Sequence, residues 1–203
     1  MAQAGRRDTV AGGAGGRPPG RPRDASLDAA ILAAAVRHLG ERGYAGMSIE
    51  GVAAAAGTSP PSLRRRYPDK LALALAGLDT MPVTPLPRSA VTARADALAV
   101  LENLWDTMVR RNGLAVLAAV LAERDRHPQL IASFRQHVAE PREDRLRAAL
   151  VRGVVSGSLP AGLDPGLAVS LLAGSLYAGY LRGERIRSDW AERVLGIIWP
   201  GPA

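Results

Sequence analysis

Three consecutive arginines, Arg64 to Arg66, end a short predicted helix in the stretch from Ser48 to Lys70. The guanidinium group is planar and permanently charged, and its donors pair with phosphate oxygens or with the acceptor edge of guanine. A short helix with a cationic outer face is typical of a surface that binds nucleic acid. The alternative is that the three arginines only keep the helix surface solvated.

The helical geometry of this triplet limits what its members can do. Successive helix residues turn by about 100°, so the three side chains fan across roughly 200° of the helix surface. They cannot all reach the edges of bases. We therefore expect at most one arginine to make a bidentate contact with guanine, while the others hold phosphates.

The residues around the triplet predict two short helices joined by a glycine turn. Ser48 and Ser59 can cap these helices, because a serine hydroxyl accepts an otherwise unbonded amide of the first turn. Pro60 suits the first turn of the second helix, and Gly57 tolerates positive φ. This arrangement is a helix-turn-helix, which places its second helix in the major groove of DNA.

The net charge of +7 is concentrated near the start of the chain. Residues 1–70 contain 11 Lys and Arg against 6 Asp and Glu, whereas residues 71–203 contain 15 against 13. This asymmetry indicates that the N-terminal part binds a polyanion. Codon bias could explain why 25 of the 26 basic residues are arginine, but it does not explain where the charges lie.

Several classes of protein are not supported by the sequence. The chain has no cysteine, which excludes disulfides and cysteine-ligated metals. It carries none of the motifs G-x-S-x-G, H-E-x-x-H or G-x-x-x-x-G-K-[ST], and its three histidines lie far apart, with His38 at the edge of a predicted helix core. We therefore expect no enzyme, no cofactor and no metal site. Without an apolar run of about 20 residues or a secretory signal, we expect a cytoplasmic protein with no membrane partner.

The apolar pattern is helical throughout and predicts an all-α fold in two parts. Residues 25–80 would form an N-terminal three-helix helix-turn-helix domain, and residues 89–203 a C-terminal helical bundle. The stretch 81–89 contains three prolines and is the predicted boundary. We expect Gly113 to break the chain and Pro141 to kink or split a long helix. The expected helices of the bundle are 89–111, 114–126, 128–156, 164–183 and one that begins near Ser188.

Residues 1–24 are rich in glycine, proline and arginine and predict a disordered basic arm. The segment Gly20-Arg21-Pro22-Arg23 resembles the core of AT-hook arms. An extended Arg-Pro segment can enter a narrow A·T minor groove, whose potential attracts guanidinium groups. Arg21 and Arg23 are therefore candidate DNA contacts, and the alternative is a tail that only keeps the protein soluble.

Residues 25–70 contain a series of short motifs in a fixed order: Ile31-Leu32 with Ala35 and Leu39, Glu41-Arg42-Gly43-Tyr44, Ser48-Ile49, Val52-Ala53, Ala56-Gly57-Thr58-Ser59, and Leu63 with Tyr67-Pro68-Asp69-Lys70. Together these motifs resemble the DNA-binding domain of the tetracycline-repressor (TetR) family of bacterial transcription regulators. The resemblance implies a DNA-binding regulator, usually a repressor. A weaker likeness, in the run from Leu171 to Tyr177, is to the penultimate helix of one large group of these regulators.

The same resemblance implies which residues contact the operator. Leu63 would point inward and hold the recognition helix, and Lys70 would touch a phosphate. The chain departs from the usual family pattern at Arg64, where an aromatic residue is common, at Arg66, where histidine is frequent, and at Pro61, where a small residue is common. These departures leave the operator sequence open. The candidate contacts are Ser48, Thr58, Ser59, Pro61, Ser62, Arg64, Arg65, Arg66, Tyr67 and Lys70.

One recognition helix reads too few base pairs for useful specificity, so we expect a homodimer on a palindromic double-stranded operator. The dimer surface is expected in the last two helices, where small residues recur every four positions and let helices approach closely. The alternative is that this stripe packs only within one chain. The candidate interface residues are Ser170, Leu171, Gly174, Ala178, Leu181, Val194, Ile197 and Ile198.

In the family that the chain resembles, the helical bundle encloses a small-molecule pocket whose occupancy affects DNA binding. The candidates to line it are Trp105, Met108, Phe134 and His137, although each could be an ordinary core residue. Because few buried charges are predicted, we expect a largely apolar effector. The competing function is a helical interaction module whose basic N-terminus binds polyanions without sequence preference and that has no inducible pocket.

Overall fold

The computed structural model describes residues 25–81 and 92–200, and every regular element in these two ranges is helical. The predicted all-α fold is therefore confirmed. The predicted basic arm with Arg21 and Arg23, and most of the predicted boundary at 81–89, lie outside the described residues. The α-helices are α1 (Ala25–Gly46), α2 (Ile49–Ala55), α3 (Pro60–Arg66), α4 (Lys70–Asp79), α5 (Ala93–Trp105), α6 (Gly113–Ala122), α7 (Pro128–Phe134), α8 (Glu140–Val155), α9 (Pro165–Leu181) and α10 (Trp190–Ile198).

The start of the chain folds as its local sequence predicts. Gly43 adopts φ 69° and interrupts α1, a backbone conformation that glycine allows near helix ends. Asp69 caps α4 by accepting a hydrogen bond from the amide of Ala72 at 2.7 Å. Helix α1 already includes Ala25, so Ser26 lies in its first turn.

The break between α5 and α6 differs from the prediction by one residue. Asn112, at φ 60°, makes the left-handed turn, and Gly113 is the first residue of α6. Glycine is required there for space, since a Cβ would lie 2.7 Å from the carbonyl oxygen of Thr107. The preceding helix begins later than predicted, with Thr92 as its cap.

Pro141 splits the long helix as predicted, and a π-helical turn forms the join. Arg135–Ala139 forms this turn between α7 and α8, and a second one, Asp106–Arg110, follows α5. Proline has no amide hydrogen, and its ring clashes with the carbonyl four residues earlier in an α-helix. The wider π turn just before Pro141 accommodates both effects.

The DNA-binding helices and the middle helices share one apolar core. Ile31 and Leu78 from the N-terminal helices lie in the same buried cluster as Met108, Val120 and Phe134. A second cluster joins α5, α8, α9 and α10. None of the helices in residues 25–81 and 92–200 is long and apolar enough to cross a membrane. The N-terminal helices therefore pack directly against α6 and α7.

Candidate nucleic-acid interface

The turn between α2 and α3 is built by short-range hydrogen bonds. The hydroxyl of Ser48 accepts from the amide of Gly51 at 3.1 Å, and that of Ser59 accepts from the amide of Ser62 at 3.3 Å. Gly57 lies between the helices at φ 67°. Leu63 is completely buried and fixes α3 to the other helices. The opposite face of α3 is thereby directed to solvent.

The three arginines of α3 have three different environments. Arg64 is exposed and forms an ion pair with Glu50 of α2. Arg66 is only about one quarter exposed and forms an ion pair with Asp28 of α1. Arg65 is exposed and forms no ion pair with any residue of 25–81 or 92–200. The predicted fan is present, and it directs Arg66 toward α1 rather than toward solvent.

The smaller candidate contacts surround this face. Ser59 and Pro61 are exposed, whereas Thr58 and Ser62 are half-buried. Tyr67 is the half-buried C-cap of α3, and its amide donates to the carbonyl of Leu63. The hydroxyl of Ser48 already serves as a helix cap, so its contribution to DNA binding would be through the position of α2.

Lys70, predicted to contact phosphate, binds the end of α1. Its ammonium group donates to the carbonyl oxygen of Tyr44 at 3.0 Å and lies 3.5 Å from that of Ala45. The ammonium also lies 4.3 Å from the centre of the Tyr44 ring, in a cation–π contact. Lys70 therefore locks the start of α4 to the end of α1, and this is the role that the structure supports for it.

Sequence comparisons match both parts of the chain to one family. Residues 31–76 match the profile described as bacterial regulatory proteins, tetR family, and residues 91–198 match the profile described as tetracyclin repressor-like, C-terminal domain. This chain belongs to the TetR family. TetR-family proteins are DNA-binding transcriptional regulators rather than enzymes, and the helix-turn-helix of α2 and α3 is the DNA-binding element.

Relatives of this TetR-family chain extend over most of its length. The HTH-type transcriptional regulator YdeS of Bacillus subtilis is 26% identical over 188 residues, which cover 90% of this chain and 92% of YdeS. The HTH-type transcriptional regulator Rv1556 of Mycobacterium tuberculosis is 28% identical over 166 residues, covering 80% of this chain and 76% of its own.

Solved structures share the fold. The flavonoid-responsive regulator FrrA superposes with a TM-score of 0.59 at 24% identity, covering 84% of this chain and 91% of FrrA. FadR from Bacillus subtilis, solved in complex with stearoyl-CoA, superposes with a TM-score of 0.68 at 18% identity and covers 87% of this chain and 100% of FadR. At these identities the similarity establishes the TetR fold.

The four residues predicted to line an effector pocket do not come together. Phe134 lines an apolar cavity of about 400 Å³ between α6, α7 and α9. Met108 is completely buried in the core, and Trp105 lies elsewhere, with its indole donating to the carbonyl of Ile186 at 3.1 Å. His137 faces α4, where its Nδ1 lies 3.3 Å from a carboxylate oxygen of Asp79. Of the four residues, Phe134 is the one that lines this cavity.

The residues predicted for the dimer surface divide into exposed and buried groups. Leu171 is 62% exposed, Leu181 is 83% exposed and Ile197 is 79% exposed. Val194 is buried in the second core cluster, and Ile198 packs against that cluster. Packing within the chain thus occupies Val194, which corrects its predicted place on the dimer surface. Ser170, Gly174 and Ala178 lie on the helix face that also carries Leu171 and Leu181, as their spacing in α9 requires.

Two contacts between the DNA-binding helices and the bundle were not predicted. The Tyr44 ring meets the His127 ring edge-on, with centroids 4.8 Å apart. Burial raises the pKa of Tyr44, and Asp69 and Glu123 add to this shift. At the other end of α4, the hydroxyl of Ser133 donates to Asp79 at 2.8 Å. No sequence motif marks these pairs, because each joins residues that lie far apart in the chain.

His38 is also more deeply placed than predicted. It is only 5% exposed and packs under the first turn of α2, where a Cβ on Gly51 would lie 3.0 Å from its Cε1 atom. Burial lowers the pKa of His38 below its ordinary value of 6.5, and the nearby charges of Arg42 and Arg37 lower it further. The imidazole is therefore neutral in the folded protein at pH 7.

This placement predicts a loss of stability in mild acid. Because the folded state binds a proton on His38 less readily than the unfolded chain, its stabilising contribution is complete above pH 6.5 and is lost as the pH falls through the lowered pKa. The loss is at most about 1.4 kcal/mol per pH unit. Urea unfolding at pH 8, 7, 6 and 5 should show a shallower decline for His38→Gln than for the wild type. Parallel declines would contradict the assignment.

Proposed function

We propose that this TetR-family regulator is a repressor that binds a palindromic operator as a homodimer and is released by a small apolar effector. The observation that carries the proposal is the surface of α3, where Leu63 is buried and Arg65 projects without a partner in the described chain. A long exposed apolar stripe on α9 supports dimerisation. Residues 25–80 would bind the operator, and residues 89–203 would dimerise and bind the effector.

The arginine environments assign different roles to the triplet. Arg65 is the base-reading candidate, because no ion pair within the described chain has to break before it reaches a base edge. Arg64 can exchange Glu50 for a phosphate at small cost, since both side chains of this ion pair are more than half exposed. Arg66 positions α3 against α1 through Asp28 and reads no sequence.

Replacing Arg65 with alanine should reduce operator affinity by about 1–3 kcal/mol and relax the preference at one base pair of each half-site. The operator would first be obtained by selecting bound sequences from random duplex DNA with the wild-type protein. Binding of wild type and Arg65→Ala to that duplex and to shuffled DNA would then be compared at physiological salt.

Arg126→Ala provides the matched control, since Arg126 is exposed in the turn between α6 and α7. It should leave operator affinity unchanged. The alternative result is that Arg65→Ala loses the same affinity for all DNA sequences, with a salt dependence of binding that is weaker by about one phosphate contact. That result would show that Arg65 contacts a DNA phosphate rather than a base. Selection that enriches no palindrome would contradict the proposed repressor function itself.

The cavity beside Phe134 is the proposed effector site. Its lining is apolar except for Arg135 and the two tyrosines of α9, Tyr177 and Tyr180. A volume of about 400 Å³ lies within the range of small-molecule sites. A cavity of this composition favours a ligand whose surface is mostly apolar, because burying polar groups there would leave them unpaired.

The position of α7 supports a route from this cavity to DNA. Ile131 and Phe134 line the cavity, whereas Ser133 and His137 contact Asp79 at the end of α4. A ligand that displaces α7 would therefore move α4, which begins four residues after the last arginine of α3. The two recognition helices of a dimer would then no longer match the spacing of their half-sites.

Filling the cavity should prevent the response to an effector. Ala118 is an exposed residue of α6 that lines the cavity, so Ala118→Trp should occupy part of its volume. The compounds to test are those that raise the melting temperature of the wild type. For Ala118→Trp, the same rise should need a concentration about tenfold higher or more, because the ligand would have to displace the packed tryptophan side chain. Ala122→Trp, on the same helix but outside the cavity, is the control. Equal responses of the two variants would exclude this cavity as the effector site.

A further inference from the structure

A second cavity, with a different chemistry, lies between α9, α10 and the segment 182–189 that joins them. Its volume is about 500 Å³, and none of its lining residues belongs to the apolar cavity beside Phe134. The joining segment is held in place at two points. The amide of Glu184 donates to the carbonyl of Gly179 at 3.0 Å, and the indole of Trp105 in α5 donates to the carbonyl of Ile186 at 3.1 Å. These two hydrogen bonds tie the joining segment to α9 and α5.

The polar lining of this cavity is strongly cationic. Four arginines and one glutamate line it, which leaves a surplus of three positive charges. Arg182 is neutralised locally, because its guanidinium donates to both carboxylate oxygens of Glu184 at 2.6 and 3.1 Å. Arg187 lies 3.6 Å from Asp189. Arg185 and Arg193 are exposed and form no ion pair within residues 25–81 and 92–200.

The remaining wall is apolar and carries an aromatic ring in a fixed orientation. Trp190 is half-buried, and its indole donates to the hydroxyl of Ser175 at 3.1 Å. Ile186 and Val194 flank the ring. An aromatic or aliphatic skeleton can pack against such a wall, whereas the arginines beside it provide planar donor pairs for carboxylate or phosphate oxygens. The lining thus favours an amphipathic anion, with its apolar part against the tryptophan wall and its charged group beside the arginines.

We propose that this cavity binds a small organic anion whose apolar body packs against Trp190 and whose carboxylate or phosphate is held by Arg185 and Arg193. The site is separate from the proposed effector cavity, and its occupancy does not depend on DNA binding or on repression. A neutral ligand would gain no charge pairing with Arg185 and Arg193. This charge is the reason for assigning an anion here and an apolar ligand beside Phe134.

The test uses the full chain, without DNA, and 2-naphthoate as the probe, with 2-naphthalenemethanol as its uncharged counterpart. Isothermal titration should show that the anion binds at least about tenfold more tightly than the alcohol, as expected for hydrogen bonds to a charged group. Arg185→Gln and Arg193→Gln should each weaken binding of the anion by roughly five- to tenfold. Both residues are exposed, and unchanged thermal unfolding would confirm that the variants fold.

Arg126→Gln removes the same charge from an exposed position outside the cavity and should change the affinity by less than about twofold. Three results would each overturn the proposal. They are equal binding of the anion and the alcohol, a loss in Arg126→Gln that matches the loss in the cavity variants, and no binding of 2-naphthoate at about 1 mM, where the free energy would be weaker than about −4 kcal/mol.

Discussion

Leu171→Glu should convert the protein to a monomer and reduce operator affinity by about 100- to 10,000-fold, the range over which linked binding modules usually gain affinity. Leu171 lies near the middle of the exposed stripe of α9 and is 62% exposed in the single chain. In a two-fold symmetric interface, the substitution is present twice, once on each copy of the surface. Two carboxylates would then replace two leucine side chains of the proposed interface.

Sedimentation velocity at micromolar concentration would measure the change in mass, and binding to a duplex with one or two half-sites would measure the loss of pairing. The variant should bind both duplexes equally and weakly, whereas the wild type should strongly prefer two half-sites. Ala132→Glu, which adds the same charge at an exposed position of α7, should remain dimeric. A wild type that sediments as a monomer would contradict the proposed homodimer.

Asp96→Ala should destabilise the fold by about 3–5 kcal/mol, as breaking a buried ion pair commonly does. Asp96 of α5 is completely buried and accepts hydrogen bonds from two arginines of α8. Arg145 donates from Nε at 3.1 Å, and Arg152 donates to the other carboxylate oxygen at 2.6 Å. Removing the carboxylate deletes the ion pairs by which Arg145 and Arg152 tie α8 to α5. The effect should lie toward the lower end of the range, because Arg152 is about half exposed.

Urea unfolding of both proteins at pH 7 would measure this loss as a lower midpoint with an unchanged slope. Asp144→Ala, which removes an exposed carboxylate from α8, should change the free energy of unfolding by less than about 0.5 kcal/mol. Asp96→Asn keeps the shape of the side chain and one acceptor oxygen. Its loss of unfolding free energy should lie between those of Asp96→Ala and Asp144→Ala. A loss below about 1 kcal/mol for Asp96→Ala would mean that the arginines find other partners.

Within the bundle, local sequence signals predict some helix ends correctly and others less accurately. The helix expected from residue 164 is present, and Asp164 caps it by accepting from the amides of Gly166 and Leu167 at 2.8 and 3.2 Å. The helix ends between residues 89 and 126 are less accurate, and the left-handed turn falls on Asn112. Asparagine tolerates positive φ, while Gly113 was required for a packing contact. A glycine in the sequence does not by itself show whether it serves a left-handed turn or a close packing contact.

The sequence by itself determined the family, the all-α fold and the local construction of the helix-turn-helix. Its signals at Ser48, Gly57 and Ser59 act through contacts within three or four residues, so they do not depend on the rest of the chain. The sequence also limited the three arginines to different directions, because the helical turn per residue is constant.

Only the tertiary structure determined which partner each of these side chains contacts. It paired Arg66 with Asp28, bound Lys70 to the carbonyl of Tyr44, which lies 26 residues earlier, and placed His137 against Asp79 rather than in a pocket. These contacts depend on how helices cross, and crossing is set by the packing of many side chains at once. For that reason, residue types and spacing were sufficient to predict a basic recognition helix. The fold was needed to show that Arg65 is the arginine of this helix that forms no ion pair in the described chain.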